Sequence, residues 1–146
     1  MIMLNKYFDI LLKETKKETF DIPIGAMIVK NNEIISIQTN KIEKNNSYLS
    51  HAEILAIKEA NEKLQTSKLF DCDMYATLEP CPMCAWAIIN SKIKNLFFGS
   101  YDMQYGGFSV LKLNNLARSK INIIGGIKED ECNKILNEYF KNLRKK

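Results

Sequence analysis

The stretch Met74-Tyr75-Ala76-Thr77-Leu78-Glu79-Pro80-Cys81-Pro82-Met83-Cys84 changes character at its middle, and that change sets the expected fold. Met74 to Leu78 reads as a short strand. Pro80 and Pro82 then bracket the start of a helix through Ile88 and Ile89, because proline is tolerated only where a helix begins. The next strand is Asn95-Leu96-Phe97-Phe98-Gly99, so strand, helix and strand follow one another as in a β-α-β unit.

Toward the N-terminus, a helix is expected to begin near His51, capped by Ser50, with Glu53 in the capping-box position. Ile54, Leu55, Ile57 and Leu64 would supply its buried face. Upstream, the apolar run 22–29 predicts a buried strand, Asn31-Asn32 a turn, and residues 34–39 the returning strand of a hairpin. Leu4, Phe8, Leu11 and Leu12 recur at helical spacing. Beyond Phe98, Gly106-Gly107 marks an irregular loop. Residues 121–124 read as a last strand, and Glu129 to Lys141 as a closing helix with an Ile135, Leu136, Tyr139, Phe140 stripe. The order α-β-β-α-β-α-β-β-α predicts an α/β fold: three layers, α/β/α, around a mixed five-stranded sheet.

At 146 residues, 46% of them hydrophobic, the chain is expected to form a single domain over 1–146. No repeat or low-complexity tract interrupts it. Charges break every apolar stretch, which argues against a signal peptide or membrane span and predicts a cytoplasmic protein. The net charge is +4 at pH 7, and Lys141, Arg144, Lys145 and Lys146 lie at the very end. Such a tail suits a phosphate-rich partner, but composition alone favours a solvated last helical turn, so a nucleic-acid partner must be argued from other residues. In a reducing compartment the four cysteines are expected to be ligands, nucleophiles or buried apolar residues. Cys72 and Cys132 read as small buried side chains on a strand and a helix.

His51-Ala52-Glu53 and Pro80-Cys81-Pro82-Met83-Cys84 form an H-x-E and P-C-x-x-C pair. His51 is the only histidine, and with Cys81 and Cys84 it gives three protein ligands for one zinc ion per subunit. Three ligands leave a tetrahedral zinc one open position, hence a bound water and catalysis; a fourth ligand, for which Cys72 is the candidate, would close the site and make it structural. Residues two apart in mid-helix point to nearly opposite sides, so His51 and Glu53 can converge only at a helix start. Two thiolates cancel the charge of the ion, which then acidifies its water less than a zinc on three histidines does. A nearby base is needed, and Glu53 is the candidate proton carrier.

These residues resemble the cytidine-deaminase-like superfamily and, within it, the bacterial tRNA-specific adenosine deaminases. The resemblance runs from Asp21-Ile22-Pro23-Ile24-Gly25-Ala26 through Asn40, the two motifs and Asp102 to Phe140-Lys141-Asn142-Leu143-Arg144. It implies a cytidine-deaminase-like fold and conversion of the wobble adenosine of a tRNA anticodon loop to inosine. It also implies a homodimer and the tRNA anticodon stem-loop as partner. Carried over residue by residue, His51, Cys81 and Cys84 are zinc ligands, Glu53 moves the protons, and Asn40 contacts the flipped base. Ile24 and Leu78 line its pocket, Asp102 lies near the ribose backbone, and Phe140 and Arg144 border the RNA groove. The chain departs from the family pattern at Tyr48-Leu49-Ser50, where Pro-Thr-Ala is common, and at Trp86, where a small residue is usual. Tyr101 and Gln104 also differ. Two other readings stay open: a free base or nucleoside deaminase acting on guanine, cytosine or cytidine, and a zinc or RNA-binding module without turnover.

Overall fold

The computed structural model describes residues 2–145. In chain order the elements are α1 (Ile2–Thr15), β1 (Gly25–Lys30), β2 (Glu33–Thr39), α2 (Ala52–Leu64), β3 (Cys72–Leu78), α3 (Pro82–Asn90), β4 (Asn95–Ser100), α4 (Leu113–Leu116), β5 (Asn122–Ile124) and α5 (Glu129–Arg144). The five strands form one sheet in the order β2-β1-β3-β4-β5. β1 pairs antiparallel with β2 and β3, whereas β3, β4 and β5 run parallel, so the sheet is mixed as expected. Asn31 and Asn32 both take positive φ at the β1–β2 turn, the conformation a two-residue hairpin loop favours and asparagine tolerates.

Strand alternation sorts the core into two layers. Ala26, Ile28, Met74, Ala76, Leu96 and Phe98 point to one face, where Ala56 and Ala60 of α2, Ala85 and Ile88 of α3, and Leu113 of α4 cover them. Met27, Val29, Tyr75 and Phe97 point to the other, covered by Tyr7, Phe8, Leu11 and Leu12 of α1 and by Cys132 and Ile135 of α5. A period of two along each strand thus buries both faces, which requires helices on both sides.

Four local expectations change. β1 begins at Gly25 and not at Ile22, because Pro23 has no N–H and the Ile24 N–H turns back to the Ile22 carbonyl (2.9 Å). α2 is capped not by Ser50 but by its own His51, whose side chain makes no cap bond; the Asn40 Oδ1 accepts the Ala52 N–H instead (3.1 Å). The start is therefore one residue later, and Glu53 moves out of the capping-box position. The buried face of α2 is carried by Ala52, Ala56, Ile57 and Ala60, while Ile54, Leu55 and Leu64 are only half-buried. Alanine lets the helix lie close to the sheet, close enough for the Ser36 hydroxyl to donate to the Ala56 carbonyl (2.8 Å). Finally, α4 is a four-residue turn with one buried side chain, too short to leave a periodic signal.

Candidate metal centre and its pocket

Two helix N-termini meet at the end of β3. The strand ends at Leu78, and Glu79-Pro80 carries the chain into α3, whose N-cap is Cys81 and whose first residue is Pro82. The N-cap of α2 is His51. Placing His51 on the cap, outside the helical turn, removes the obstacle that residues two apart present in mid-helix: its ring and the Glu53 carboxylate both reach the same end of the sheet.

The His51 Nδ1 lies 3.6 Å from the Cys81 Sγ and 3.4 Å from the Cys84 Sγ. The three ligand atoms lie within 4.8 Å of one another, and they form the only such group of metal-ligating side chains among the described residues. A tetrahedral ion with bonds of about 2.0 Å to nitrogen and about 2.3 Å to sulfur needs nitrogen–sulfur separations of about 3.5 Å. The donor set therefore fits zinc in both chemistry and spacing. Cys72 does not join it: it begins β3, roughly 20 Å of extended chain from the Leu78 end, and is buried in the core. Cys132, on α5, is buried against the other face of the sheet.

The four groups interact electrostatically. A hydrogen bond from the Cys84 thiol, with His51 and the helix start adding to it, pulls Cys81 down to about 4, which favours its thiolate form. Cys84 is pushed up by that same bond and by burial. His51 is raised, chiefly by its contact with Cys81. Glu53 is only 4% exposed, and burial raises it to about 7.

Above these groups lies a cavity of about 510 Å³, walled by Ile22, Ile24, Ile42 and Leu78, with Asn40, His51, Glu53 and Cys81 among its polar or ligating lining. Asp102 and Tyr105 close it from the loop after β4. Of the pocket residues expected from sequence, Ile24, Asn40, Leu78 and Asp102 border the cavity. Phe140 and Arg144 lie outside it on α5, where the Arg144 Nε donates to the Phe140 carbonyl (3.4 Å).

Sequence reasoning missed Glu79. Its carboxylate, 1% exposed, accepts from the Asp102 N–H (3.2 Å), the Phe108 N–H (3.2 Å), the Ser109 N–H (2.7 Å) and the Ser109 hydroxyl (2.6 Å). It ties down the loop that carries Asp102 and Tyr105. A Cβ on Gly106 would meet that carboxylate at 2.5 Å, and one on Gly107 would meet the Ala85 methyl at 2.6 Å, which is why two glycines stand there. The signal was a glutamate directly before the P-C-x-x-C motif facing a glycine pair, but they are far apart in sequence.

A model of the MafB19-like deaminase family matches residues 5–144. The tRNA-specific adenosine deaminase of Bacillus subtilis (strain 168) is 40% identical to 96% of this chain over 90% of its own length. A structure from biochemical and structural studies of A-to-I editing by tRNA:A34 deaminases superposes with a TM-score of 0.86 at 31% identity, covering 90% of this chain and 99% of that one. A guanine deaminase from Bacillus subtilis matches less fully, with a TM-score of 0.59 at 36% identity over 63% of this chain and 59% of its own. The chain has the cytidine-deaminase-like fold and belongs to the MafB19-like deaminase family and to the tRNA-specific adenosine deaminases.

Proposed function

We propose that this protein hydrolyses adenosine to inosine at the wobble position of a tRNA anticodon loop, with one zinc ion per subunit held by His51, Cys81 and Cys84. The observation that carries the reading is the convergence of three candidate ligands with one separate buried carboxylate, with His51, Cys81 and Glu53 lining a cavity. Zinc with three protein ligands supplies an acidified water and a Lewis acid at its fourth position.

The chain's own residues do the rest. Glu53 takes a proton as water oxygen adds to carbon six of the base, then gives it to the amino group, which leaves as ammonia while inosine forms. The place of Glu53 in the cavity lining beside His51 and Cys81, only 4% exposed, suits it to both tasks. Asn40 is held by the Ala52 N–H at its Oδ1, which leaves its Nδ2 to donate to the base. Ile24 and Leu78 contact the base faces. The Asp102 Oδ1 is occupied by the Gln104 and Tyr105 N–H groups (3.1 and 2.9 Å), so its second oxygen is the one offered toward the ribose. Phe140 and Arg144, with Lys141 and Lys145, form a basic end of α5 for RNA phosphates.

An anticodon loop presents nucleotides already partly unstacked, so extruding one costs less than opening a duplex. A homodimer is part of the proposal. It is supported by the exposed Trp86, Val110, Leu111 and Leu116 across α3, α4 and the loop between β4 and α4. A cytoplasmic location is the last part; no helix among the described residues is long and apolar enough to cross a membrane. The test is to incubate the zinc-loaded protein with an anticodon stem-loop bearing wobble adenosine, and separately with adenosine, guanine, cytosine and cytidine, measuring inosine and ammonia. Inosine in the hairpin is expected. Turnover confined to free bases or nucleosides would replace the RNA substrate with the smaller one.

A further inference from the structure

Fourteen residues line the cavity over the metal ligands, and twelve of them are buried or half-buried. The two exposed ones are both tyrosines: Tyr48 at 75% and Tyr105 at 59%. They come from separate segments, Tyr48 from the approach to α2 and Tyr105 from the loop after β4. Each is held in place. The Tyr48 ring meets the His51 ring edge-on at 5.5 Å between centroids, and the Tyr105 hydroxyl accepts from the Gln104 Nε2 (3.0 Å) while its N–H is fixed by Asp102.

We propose that Tyr48 and Tyr105 form an aromatic rim that stacks the bases next to the extruded nucleotide. The inference rests on the RNA reading above. Pulling one nucleotide into the cavity leaves its neighbours with an unpaired π-face, and an exposed aromatic ring replaces the lost stacking without regard to base identity. The cavity floor needs no such rings to hold a single base, because Ile22, Ile24, Ile42 and Leu78 already supply its apolar walls. The rim thus acts on the flanking bases and favours a loop of RNA over a free nucleoside. Tyr48 stands where the sequence leaves the family pattern, so this contact is particular to chains that carry an aromatic there.

The test uses the zinc-loaded full chain and the wobble-adenosine hairpin. Wild type is first assayed for inosine. Binding of the hairpin is then measured with Glu53→Ala as the non-reacting background, alone and with Tyr48→Ala, Tyr105→Ala, Tyr48→Phe or Tyr105→Phe added. Each alanine change is expected to weaken binding roughly tenfold, and each phenylalanine change by no more than about twofold, since the ring is what stacks. With 2-aminopurine beside the wobble position, the alanine variants lose its quenching and the phenylalanine variants keep it. Zinc content and melting temperature serve as folding controls for these exposed positions. If wild type edits the hairpin and the alanine variants bind it equally well, the rim is wrong while the function stands. If the alanine variants lose hairpin binding but wild type makes no inosine, the rim stands and the function falls. Changes in subunit assembly with unaltered RNA affinity would assign the rings to an interface between copies and overturn the proposal. Failure of every form to bind the hairpin overturns both.

Discussion

The two faces of the sheet are packed by different means. On the α1/α5 face the space is filled by large rings: Tyr7 and Phe8 lean on Tyr75 with centroids 5.3 and 5.7 Å away, and Tyr75 on Phe97 at 5.1 Å. On the α2/α3 face Ile57, Ile88 and Ile89 fill the space between four closely packed alanines, Ala52, Ala56, Ala60 and Ala85, all fully buried. Rings supply apolar area, and area supplies stability. Alanines supply little area but bring the helix backbone near the sheet, so the positions of the His51 and Cys81 caps follow from backbone contacts rather than from flexible side chains. Both faces stabilise the fold; the alanine contacts of the α2/α3 face also set where the candidate metal ligands stand.

That contrast can be broken by mutation. Phe8→Ala removes a fully buried ring from the α1 face and is expected to cost about 3–5 kcal/mol of stability. The fraction that remains folded should bind zinc and turn over like wild type, as read by denaturant melts alongside activity per bound metal. Loss of metal affinity from that change would show that the two faces are not separable. Ala56→Leu should cost less stability, about 1–3 kcal/mol from overpacking, yet weaken zinc binding measurably because α2 must lift and carry His51 with it. Competitive metal titration reads this, and an unchanged zinc affinity would undo the claim that close packing positions the ligand. Smaller again is Glu79→Gln, expected at about 1–2 kcal/mol, since the loop donors it leaves can turn partly to water. Hydrogen exchange should quicken at the Phe108 and Ser109 amides and not in α2, and KM for the hairpin should rise while zinc stays bound.

The alternation of Met27, Ile28, Val29 and of Met74, Tyr75, Ala76 made the strands legible, because two-sided burial leaves a continuous apolar run. The clustering of His51, Cys81 and Cys84 was legible because metal-ligating side chains must be of particular residue types, and the chain has one histidine and four cysteines. Local patterns failed where the partner was remote. Ser50 looked like a cap because it sits next to the helix, but the donor to be capped finds Asn40, which is closer in space than its twelve-residue separation suggests, while the Ser50 hydroxyl accepts from Asn45 Nδ2 (3.2 Å). Glu79 was invisible for the same reason: its partners lie 23 to 30 residues away. On the face of α2, Ile57 is buried as expected but Ile54, Leu55 and Leu64 are not, because hydrophobicity ranks the large residues first while the packing here also selected alanines.

The account turns on Glu53 carrying the proton while three other side chains hold the ion. Single-turnover inosine formation in the wobble-adenosine hairpin, measured for wild type and for Glu53→Ala with zinc content determined on the same samples, tests this directly. The expected result is a rate lower by about 10²- to 10⁴-fold with zinc retained at one per subunit. An unimpaired rate in the variant would contradict the mechanism, and a loss of activity accompanied by loss of zinc would make Glu53 a ligand instead of a proton carrier.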